Sequence, residues 1–572
     1  MKSILVIFIS IFFLISFRIT SAPNRDLTQI KVTTWDALGY YYYLPGVFIY
    51  KDLKKLDWLY EANSKYNLSS HIYQANPYKN GNHVGKYFLG LSFLFLPFFL
   101  VAHLLATNLG FTADGFSAPY QIAICVAALF YVFIAMLLLR KVLLKYFSDS
   151  VTAITIAAVV LGTNLPIYVS LDSALTHNYI FLLFCIQLLV TIAWYKQPKP
   201  QWALLSGYLI GLATCCRPTE ATMLLLPLLW AEFNADSSRQ KWALVKQHKA
   251  HIFWAIAGGF LGILPQIIYW YHITRNIVYD VGSKWVFLNP WWRVLFGWEK
   301  GWFIYTPITM FFVIGLFFLK NLPFRRAAIV FFLINTWIII SWFDWRYGGT
   351  YSTRALVQSY PVLALPLAAF IQYTLSNKWR YFVIPVFGFL IAVNVFQLYQ
   401  FKSGVIHHDH MNRKYYQAIY LNPSPTPEDF SLLDTDEFVS EKKILSKKLI
   451  KELNFEKIEV GYNSSFLFSE FNVKEFFIYS SKKQYLKIEF TGENSEGLFG
   501  STLCARLETT DNLKQKCIRL HIPINKEKSA SQCAFYIGLE PRLRRANLKL
   551  ILESSYGHIT NNASIKIFLI ES

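Results

Sequence analysis

Long uncharged stretches of the chain alternate with short loops that are rich in aromatic and ionisable residues. A helix that crosses a bilayer needs about 20 apolar residues, and many of the stretches come close to that length. They are residues 3–17, 88–113, 115–139, 151–171, 173–195, 200–216, 221–231, 252–271, 301–319, 327–343, 355–377 and 381–401. After Phe401 the pattern stops. It predicts an all-α, polytopic membrane domain over residues 1–401.

The first apolar stretch has two readings. Lys2 precedes it and small residues follow at 20–22, as in a cleaved signal peptide. Arg18 within the cleavage region and Pro23 just after it favour an uncleaved first span. Either reading places residue 23 onward across the membrane, where residues 23–83 form an outer loop with interfacial helices.

Basic residues set the expected orientation, because cytoplasmic loops collect Lys and Arg. The inside loops hold Arg140, Lys141, Lys145, Lys196, Lys199, Arg239, Lys241, Lys246, Lys249, Lys320, Arg325, Arg326, Lys378 and Arg380. Residues 84–109 break the alternation, which predicts a re-entrant helix pair broken near Pro97 with both ends outside. A second shallow hairpin is expected around Arg217-Pro218. About eleven crossings result, with the C-terminus outside.

The remainder of the chain reads as an extracytoplasmic domain. Residues 402–454 are charged and helix-prone, and they predict a connector. Residues 455–572 contain stretches that alternate at period two, such as 547–553 and 564–570, which predict a mainly β, sandwich-like domain. A bridge between Cys504 and Cys517 is compatible with an oxidising compartment.

The composition excludes a water-soluble globular protein, and the absence of nucleotide-binding motifs excludes a soluble nucleotide-dependent enzyme. The 572 residues are 54% hydrophobic and only 16% charged. The sequence has neither a Walker nor a dinucleotide glycine motif, and its cysteines lack zinc spacing. The net charge of +20 points to anionic lipid head groups, and we expect no nucleic acid partner.

The outward loops carry the candidate chemistry. Asp36 opens an aromatic loop with Tyr40 and Tyr41, in a setting close to the membrane surface. His83 and Lys86 stand just before the re-entrant segment, where snorkelling of the Lys side chain is the alternative to a ligand role. His177 lies at an outer helix end, and the nearby Asp172 is interpreted as a helix cap.

Arg217 lies between two short apolar pieces, near membrane depth. An arginine there costs roughly 2.5 kcal/mol or more unless an anion or a polar cavity receives it. Glu220 could be that anion, in which case Arg217 is structural. A lipid phosphate is the functional alternative.

Two later loops add cations among aromatic residues. One runs from Glu299 through Lys300, Trp302 and Tyr305. The other contains Asp344, Arg346, Tyr347 and Arg354. Aromatic belts explain the Trp and Tyr residues, but outward arginines oppose the positive-inside rule. Because guanidinium and ammonium groups bind phosphate, this face suggests a lipid-phosphate-linked sugar.

At these residues the chain resembles the GT-C superfamily of polyprenyl-phosphate-sugar-dependent glycosyltransferases, in particular the bacterial protein-mannosyltransferase and aminoarabinose-transferase-like branch. The resemblance covers residues 1–410 or so. It rests on Asp36 after the first span, Gly85-Lys86 before the next helix, Arg217-Pro218 at a helix break, and the runs 301–307 and 344–354, which look like those of multispanning Bacteroidetes enzymes. The outer domain does not share it.

The resemblance implies a fold and a set of roles. It implies inverting transfer of a sugar from a polyprenyl phosphate to a hydroxyl, with Asp36 as the catalytic base. The candidate donor-phosphate ligands are Lys86, Arg217, Arg346 and Arg354. The candidate substrate-binding residues are Tyr40, Tyr41, His83, His177, Lys300, Trp302, Tyr305, Asp344 and Tyr347.

The chain also departs from the family. Ala37 stands where many relatives carry a second acid, which leaves a bridging divalent metal open and no cofactor certain. The Lys-Pro-Pro element is absent.

Expected partners are the lipid-linked donor, membrane lipids and a glycan, lipid or protein acceptor, at a bacterial plasma membrane. A polysaccharide polymerase or ligase, and a lipid-linked glycan transporter, are the alternatives. The sugar, acceptor, polyprenol and oligomeric state are not encoded in any recognisable pattern.

Overall fold

The structure is a computed structural model that describes residues 1–476, 482–496, 500–510, 512–520, 523–525, 530–543, 545–555 and 557–572. The chain divides into two compact units, Met1–Leu398 and Tyr399–Ser572. This division lies close to the boundary predicted where the apolar pattern stops.

The first unit is helical. Its helices are α1 (Lys2–Thr20), α2 (Asp36–Tyr41), α3 (Tyr43–Phe48), α4 (Asp57–Tyr66), α5 (Gly90–Ala106), α6 (Ala118–Leu143), α7 (Asp149–Leu161), α8 (Leu165–Ser170), α9 (His177–Lys196), α10 (Pro200–Cys216), α11 (Leu225–Leu229), α12 (Ala235–Gln247), α13 (Ala250–Thr274), α14 (Trp291–Phe296), α15 (Trp302–Tyr305), α16 (Met310–Gly315), α17 (Arg325–Ser341), α18 (Tyr360–Leu375) and α19 (Arg380–Lys402). A short antiparallel hairpin, β1 (Ala75–Pro77) and β2 (His83–Gly85), lies in the loop before α5.

Within the described residues, seven helical segments are long and apolar enough to cross a membrane. They are Lys2–Thr20, Gly90–Leu109, Ala118–Leu143, His177–Lys196, Ala250–Thr274, Arg354–Leu375 and Arg380–Lys402. The expected count of about eleven is not confirmed by this criterion. Two apolar runs are divided into short helices, and Pro166 and Pro307 each lie in the first turn of a new helical segment inside them.

The prediction of a helix pair broken near Pro97 is wrong. α5 is one continuous helix with Pro97 inside it. The hydroxyl of Tyr131 donates to the carbonyl oxygen of Leu94 at 2.9 Å, in the turn before the proline. Such side-chain donors let membrane helices tolerate proline, since they satisfy backbone groups that the missing N–H disturbs.

The helix bundle has two chemically different ends. At one end, called the basic end, Arg140 donates to Ser3 at 2.7 Å, and Lys196, Lys199 and Lys249 lie at the nearby helix termini. The other is called the Asp36 end. The first residues of α9 and the last residues of α10 and α13 lie there.

Glycines join α10 to α13 along their length. Gly207 and Gly211 of α10 face Gly258 and Gly262 of α13, and a Cβ at any of the four would overlap backbone atoms of the opposite helix. Small residues at this spacing let membrane helices approach closely and pack by van der Waals contact. The contact fixes the end of α10, and with it Arg217.

The second unit contains two short helices, α20 (Arg413–Ile419) and α21 (Pro427–Ser431), followed by strands. The strands are β3 (Ser446–Val460), β4 (Ser464–Asn472), β5 (Gln484–Glu496), β6 (Ser501–Glu508), β7 (Leu513–Arg519), β8 (Pro523–Asn525), β9 (Ala530–Leu539), β10 (Asn547–Ser554) and β11 (His558–Glu571). They form antiparallel sheets of order β4-β10-β6-β7 and β3-β11-β5-β9-β8. β3 begins at Ser446, so the expected boundary at 454/455 falls inside a strand.

The alternation of apolar and polar residues along the strands of this unit matches the alternation of buried and less buried side chains. Every second side chain of β10 is buried, and residues from both sheets share one apolar core that includes Leu550 and Ile567. Cys504 and Cys517 face each other across β6 and β7 and form a disulfide. The predicted mainly β domain is confirmed, and the bridge that the sequence left possible is present.

Candidate active site

Asp36 is the first residue of α2, and its carboxylate is held by three donors. Oδ1 accepts hydrogen bonds from the hydroxyls of Tyr73 at 2.8 Å and Tyr87 at 2.5 Å. Oδ2 accepts from Nη2 of Arg354 at 2.7 Å. A carboxylate offers about four acceptor positions. One position therefore remains for a further donor.

These contacts keep Asp36 ionised. Burial alone would raise the pKa of its carboxyl group, but the charge of Arg354 and the three hydrogen bonds outweigh burial and lower the pKa from 3.8 to about 2. The side chain of Asp36 is 29% exposed and that of Arg354 is 12% exposed. The pair is therefore shielded from water while the carboxylate stays accessible.

The backbone just before Asp36 is strained. Trp35 has a φ of 52°, a conformation that a bulky residue rarely adopts. Its carbonyl accepts a hydrogen bond from Gln74 at 3.0 Å, and its N–H donates to the carbonyl of Leu68 at 3.0 Å. These bonds hold the turn that starts α2 and aims Asp36 at its partners.

Gly39 explains how Tyr87 reaches the carboxylate. A Cβ on Gly39 would overlap the ring of Tyr87, which packs directly on the backbone of α2. The ring of Tyr40 meets that of Tyr87 edge-on, with centroids 4.9 Å apart. Burial is the main reason that the pKa of Tyr40 is raised to about 12. The tyrosines therefore act here as neutral donors and as walls.

Lys86 lies next to the same tyrosines. Its Nζ lies 5.3 Å from the centre of the Tyr73 ring and 5.8 Å from that of Tyr87. The side chain is exposed, and no carboxylate among the described residues pairs with it. Lys86 therefore offers a positive charge, beside Asp36, to a ligand.

Arg217 follows α10 in an extended conformation and precedes the 3₁₀-helix Pro218–Leu224. Gly90 allows the start of α5 to touch the backbone at Cys215, just before Arg217. The guanidinium acts electrostatically on Glu220 as well as on Tyr40, His177 and Tyr347. It has no hydrogen-bond or ion-pair partner in the described part of the chain.

Glu220 does not form the direct ion pair that would make Arg217 purely structural. It is 1% exposed, and its Oε1 accepts from Gln358 and from Thr219, both at 3.0 Å. Its Oε2 is buried without a hydrogen-bond partner among the described residues. The oxygen of the Gln358 amide contacts Nδ1 of His177 at 2.7 Å. Since that amide donates to Glu220, its oxygen accepts from His177, which places a proton on Nδ1.

Asp172 is a second acid in this region that the sequence interpretation had treated as a cap. Burial raises the pKa of its carboxyl to about 6, against the lowering effect of Arg354 and Arg18, and Asp36 adds to the rise. The local pattern gave no sign of this, because the neighbours of Asp172 come from distant parts of the chain.

Other candidate residues lie outside this cluster. Arg346 is bound on the surface by Glu299 at 2.8 Å and stacks on Trp345. His83 packs against Tyr60. The fully buried Tyr41 donates to the carbonyl of Gly115 at 2.5 Å.

The two later loops supply mainly packing. Lys300 is buried and donates to the carbonyl of Gly348. Trp302 is buried and donates to the hydroxyl of Tyr360 at 3.0 Å, and Tyr305 donates to the carbonyl of Trp298 at 2.6 Å. Tyr347, which donates to Ile339, and Asp344, whose carbonyl accepts from Tyr347, lie in the loop before Arg354.

The donor set around Asp36 does not fit a divalent metal. Among the described residues no group of three or more His, Cys, Asp or Glu side chains could hold a metal ion. Three donors already occupy the carboxylate of Asp36, and one of them is the cation Arg354. The positive charge beside Asp36 therefore comes from the protein.

No family model and no curated protein matches the sequence. Among solved structures the chain is similar to the oligosaccharyltransferase AglB of Archaeoglobus fulgidus in its apo form, with 12% identity, a TM-score of 0.40, and coverage of 77% of this chain and 61% of AglB. The complex of AglB with an inhibitory peptide and a dolichol-phosphate matches with 11% identity, the same TM-score and the same coverage. The arabinosyltransferase EmbB of Mycobacterium smegmatis matches with 10% identity, a TM-score of 0.33, and coverage of 99% of this chain and 64% of EmbB.

AglB is an oligosaccharyltransferase and EmbB an arabinosyltransferase. The chain spans less than two thirds of the length of either protein. At these TM-scores the likeness does not assign a function, and the cluster around Asp36 is the functional feature of this chain.

Proposed function

We propose that the protein is a membrane glycosyltransferase that moves a sugar from a polyprenyl-phosphate donor to a hydroxyl acceptor. The observation that carries the proposal is the arrangement of one ionised carboxylate, Asp36, beside two cations, Lys86 and Arg217, that form no ion pair with a carboxylate among the described residues. At the Asp36 end the protein offers a carboxylate that can act as a base, two cations that can bind a phosphate, and the aromatic rings of Tyr40, Tyr73 and Tyr87.

The reaction requires little rearrangement of this cluster. The acceptor hydroxyl donates its hydrogen bond to the remaining acceptor position of Asp36. Its oxygen attacks the anomeric carbon, and the bond between that carbon and the phosphate oxygen breaks through an oxocarbenium-like transition state. The electron pair leaves with the polyprenyl phosphate, and the acceptor proton passes to Asp36.

The low pKa of Asp36 affects when the proton moves. A carboxylate with a pKa of about 2 is a weak base, so it orients the hydroxyl first and takes the proton only as the new bond forms.

The leaving phosphate gains negative charge, which fixed cations stabilise without a protonating acid. Lys86 offers an exposed ammonium group and Arg217 a guanidinium fork suited to phosphate oxygens. Arg354 is already paired with Asp36 and serves chiefly to position it. Inversion at the anomeric carbon follows from a single displacement.

The acceptor is an envelope glycan, lipid or protein on the extracytoplasmic face of a bacterial plasma membrane. Apolar helices account for the membrane location. The extracytoplasmic side of the Asp36 end follows from the basic residues at the opposite end.

The proposal is tested by mass analysis of envelope glycans and glycoproteins from cells that lack the protein. A sugar should disappear from one acceptor, and its lipid-linked precursor should accumulate. Wild-type protein should restore it, whereas Asp36→Asn should not. Asp57→Asn is the matched control, because Asp57 is an exposed acid on the same loop. Unchanged glycans in the deletion strain, or restoration by Asp36→Asn, would overturn the proposal.

A further inference from the structure

A cavity lies at the basic end of the bundle, away from Asp36. It has a volume of about 460 Å³, within the range of ligand sites. Its walls come from the end of α9, the start of α10, α11, the end of α12 and the start of α13. Val190 of α9 lies 13 residues beyond His177, which is about 20 Å along the helix. The cavity is therefore separate from the proposed active site.

The interior of the cavity is apolar, because the polar groups at its edge are bound elsewhere. Nε1 of Trp194 donates to His251 at 3.2 Å, and the hydroxyl of Tyr195 donates to the carbonyl of Pro227 at 2.8 Å. The ammonium group of Lys241 is held by Glu232 at 2.5 Å. Water would find few partners here, so a hydrocarbon chain fits the interior better.

One wall of the cavity opens to the surroundings of the bundle. Ile252 is 52% exposed and Ile256 is 68% exposed, and both line the cavity on α13. Because α9 and α13 are apolar enough to cross a membrane, this opening faces the acyl chains of the bilayer. Lipid is the apolar species present at that position.

Four lysines lie at the ends of the helices that line the cavity. Lys196 and Lys246 each follow a residue that lines the cavity, Lys249 follows His248, and Lys199 caps the start of α10. None of these four lysines has an ion-pair partner within the described residues. Such clusters at a helix end attract anionic head groups.

We propose that this cavity binds one acyl chain of an anionic phospholipid, whose head group is held by the lysines at the mouth. A chain gains little on leaving the bilayer for the cavity, because lipid tails are as apolar as leucine side chains. Selectivity therefore comes from the lysines. The bound chain fills the space between α12 and the glycine-packed pair α10 and α13.

The test uses the full chain in lipid nanodiscs with phosphatidylglycerol or phosphatidylcholine that carries a photoactivatable group in the acyl chain. Cross-links should map to residues 190–195 and 245–256, at least about fivefold more often with phosphatidylglycerol. Val245→Trp, which fills the cavity, should remove them. Val126→Trp is the matched control on an exposed face of α6, and it should keep them. If Val245→Trp does not fold, Ala203→Phe fills the same cavity.

A pair of charge variants distinguishes binding of the lipid head group by the lysines at the mouth from a general attraction of basic residues to the membrane. Lys246→Gln with Lys249→Gln should lower phosphatidylglycerol labelling to the level of phosphatidylcholine. Lys141→Gln with Lys145→Gln should not; these exposed lysines lie at the end of α6 and just after it. Equal labelling by the two lipids, or labelling that Val245→Trp and Ala203→Phe leave intact, would overturn the proposal. Displacement of phosphatidylglycerol by equimolar polyprenyl phosphate would show that the carrier lipid is the occupant instead.

Discussion

Removing Arg354 should destabilise the protein through the charge that it leaves behind on Asp36. Oδ2 of Asp36 lies 2.7 Å from Nη2 of Arg354. In Arg354→Gln the carboxylate keeps only the two tyrosine donors. In Asp36→Asn the guanidinium is stranded instead. The double variant has neither charge, so it should be more stable than the sum of the single losses predicts.

The size of this coupling follows from the pKa of Asp36. The difference between its ordinary value of 3.8 and about 2 corresponds to about 2.5 kcal/mol, part of which comes from the tyrosines. Losing one partner of a fully buried pair costs about 3–5 kcal/mol, and the 29% exposure of Asp36 lowers this. We expect each single variant to lose about 2–3 kcal/mol of unfolding free energy, with a coupling of about 2 kcal/mol.

Acid should reduce the difference between wild type and Arg354→Gln. Because the pKa of Asp36 is lowered in the folded state, its contribution to stability is complete above about pH 4 and is lost as pH falls toward about 2. Arg354→Gln raises that pKa again and removes the contribution at every pH. Denaturant titration in detergent micelles across this range measures both effects. A coupling below about 0.5 kcal/mol would refute the reasoning.

Three further changes probe the rest of the cluster. Arg217→Ala should weaken polyprenyl-phosphate binding more than Arg217→Lys, because lysine keeps the positive charge and loses only the two-pronged guanidinium contact. If Arg217→Ala and Glu220→Gln destabilise the protein equally and leave lipid binding unchanged, Arg217 is structural. Lys86→Gln should lower transfer by about tenfold or more without changing thermal stability, and transfer at the wild-type rate would remove it from the site. Gly39→Ala should push the Tyr87 ring off the carboxylate and reduce both stability and transfer, which thermal melting and the transfer assay measure; wild-type values would show that the ring adjusts freely.

The apolar pattern predicted where helices occur but not how they break. Residues 151–171 look like one span, yet α7 ends before Gly162 and α8 begins at Leu165, with Pro166 in its first turn. Residues 88–113 look broken at Pro97, yet Tyr131 supports a continuous helix. Each outcome depends on a contact with another helix, which a single sequence does not display. The β domain was easier to predict, because the period-two alternation that marks a strand is visible within a few consecutive residues.

In the candidate site, too, some residues could be selected from the local sequence and others could not. Asp36, Lys86, Arg217 and Arg354 were selected because each is a charge beside aromatic residues in an outward loop, and the structure places them at one end of the bundle. The donors Tyr73 and Tyr87 were missed, since nothing in their local sequence separates them from other interfacial tyrosines. The roles of these charged residues and tyrosines in transfer remain predictions.

Several aromatic residues that the sequence suggested as substrate ligands instead pack inside the protein. Trp302, Tyr305 and Tyr41 are buried, and each donates its polar hydrogen within the protein. Aromatic residues near a membrane interface can stack on a sugar or fill a core, and the sequence does not tell these uses apart.

The most direct measurement of the central claim is the release of free polyprenyl phosphate by the purified protein. The protein would be reconstituted in liposomes with a lipid extract of its host cells and an envelope extract as acceptor, and polyprenyl phosphate would be quantified by mass spectrometry. Wild-type protein and Asp57→Asn should release it at the same rate, while the sugar appears on an acceptor. Asp36→Asn should reduce release by about a hundredfold or more. Release by Asp36→Asn within about threefold of wild type, or none from the wild-type protein, would contradict the account.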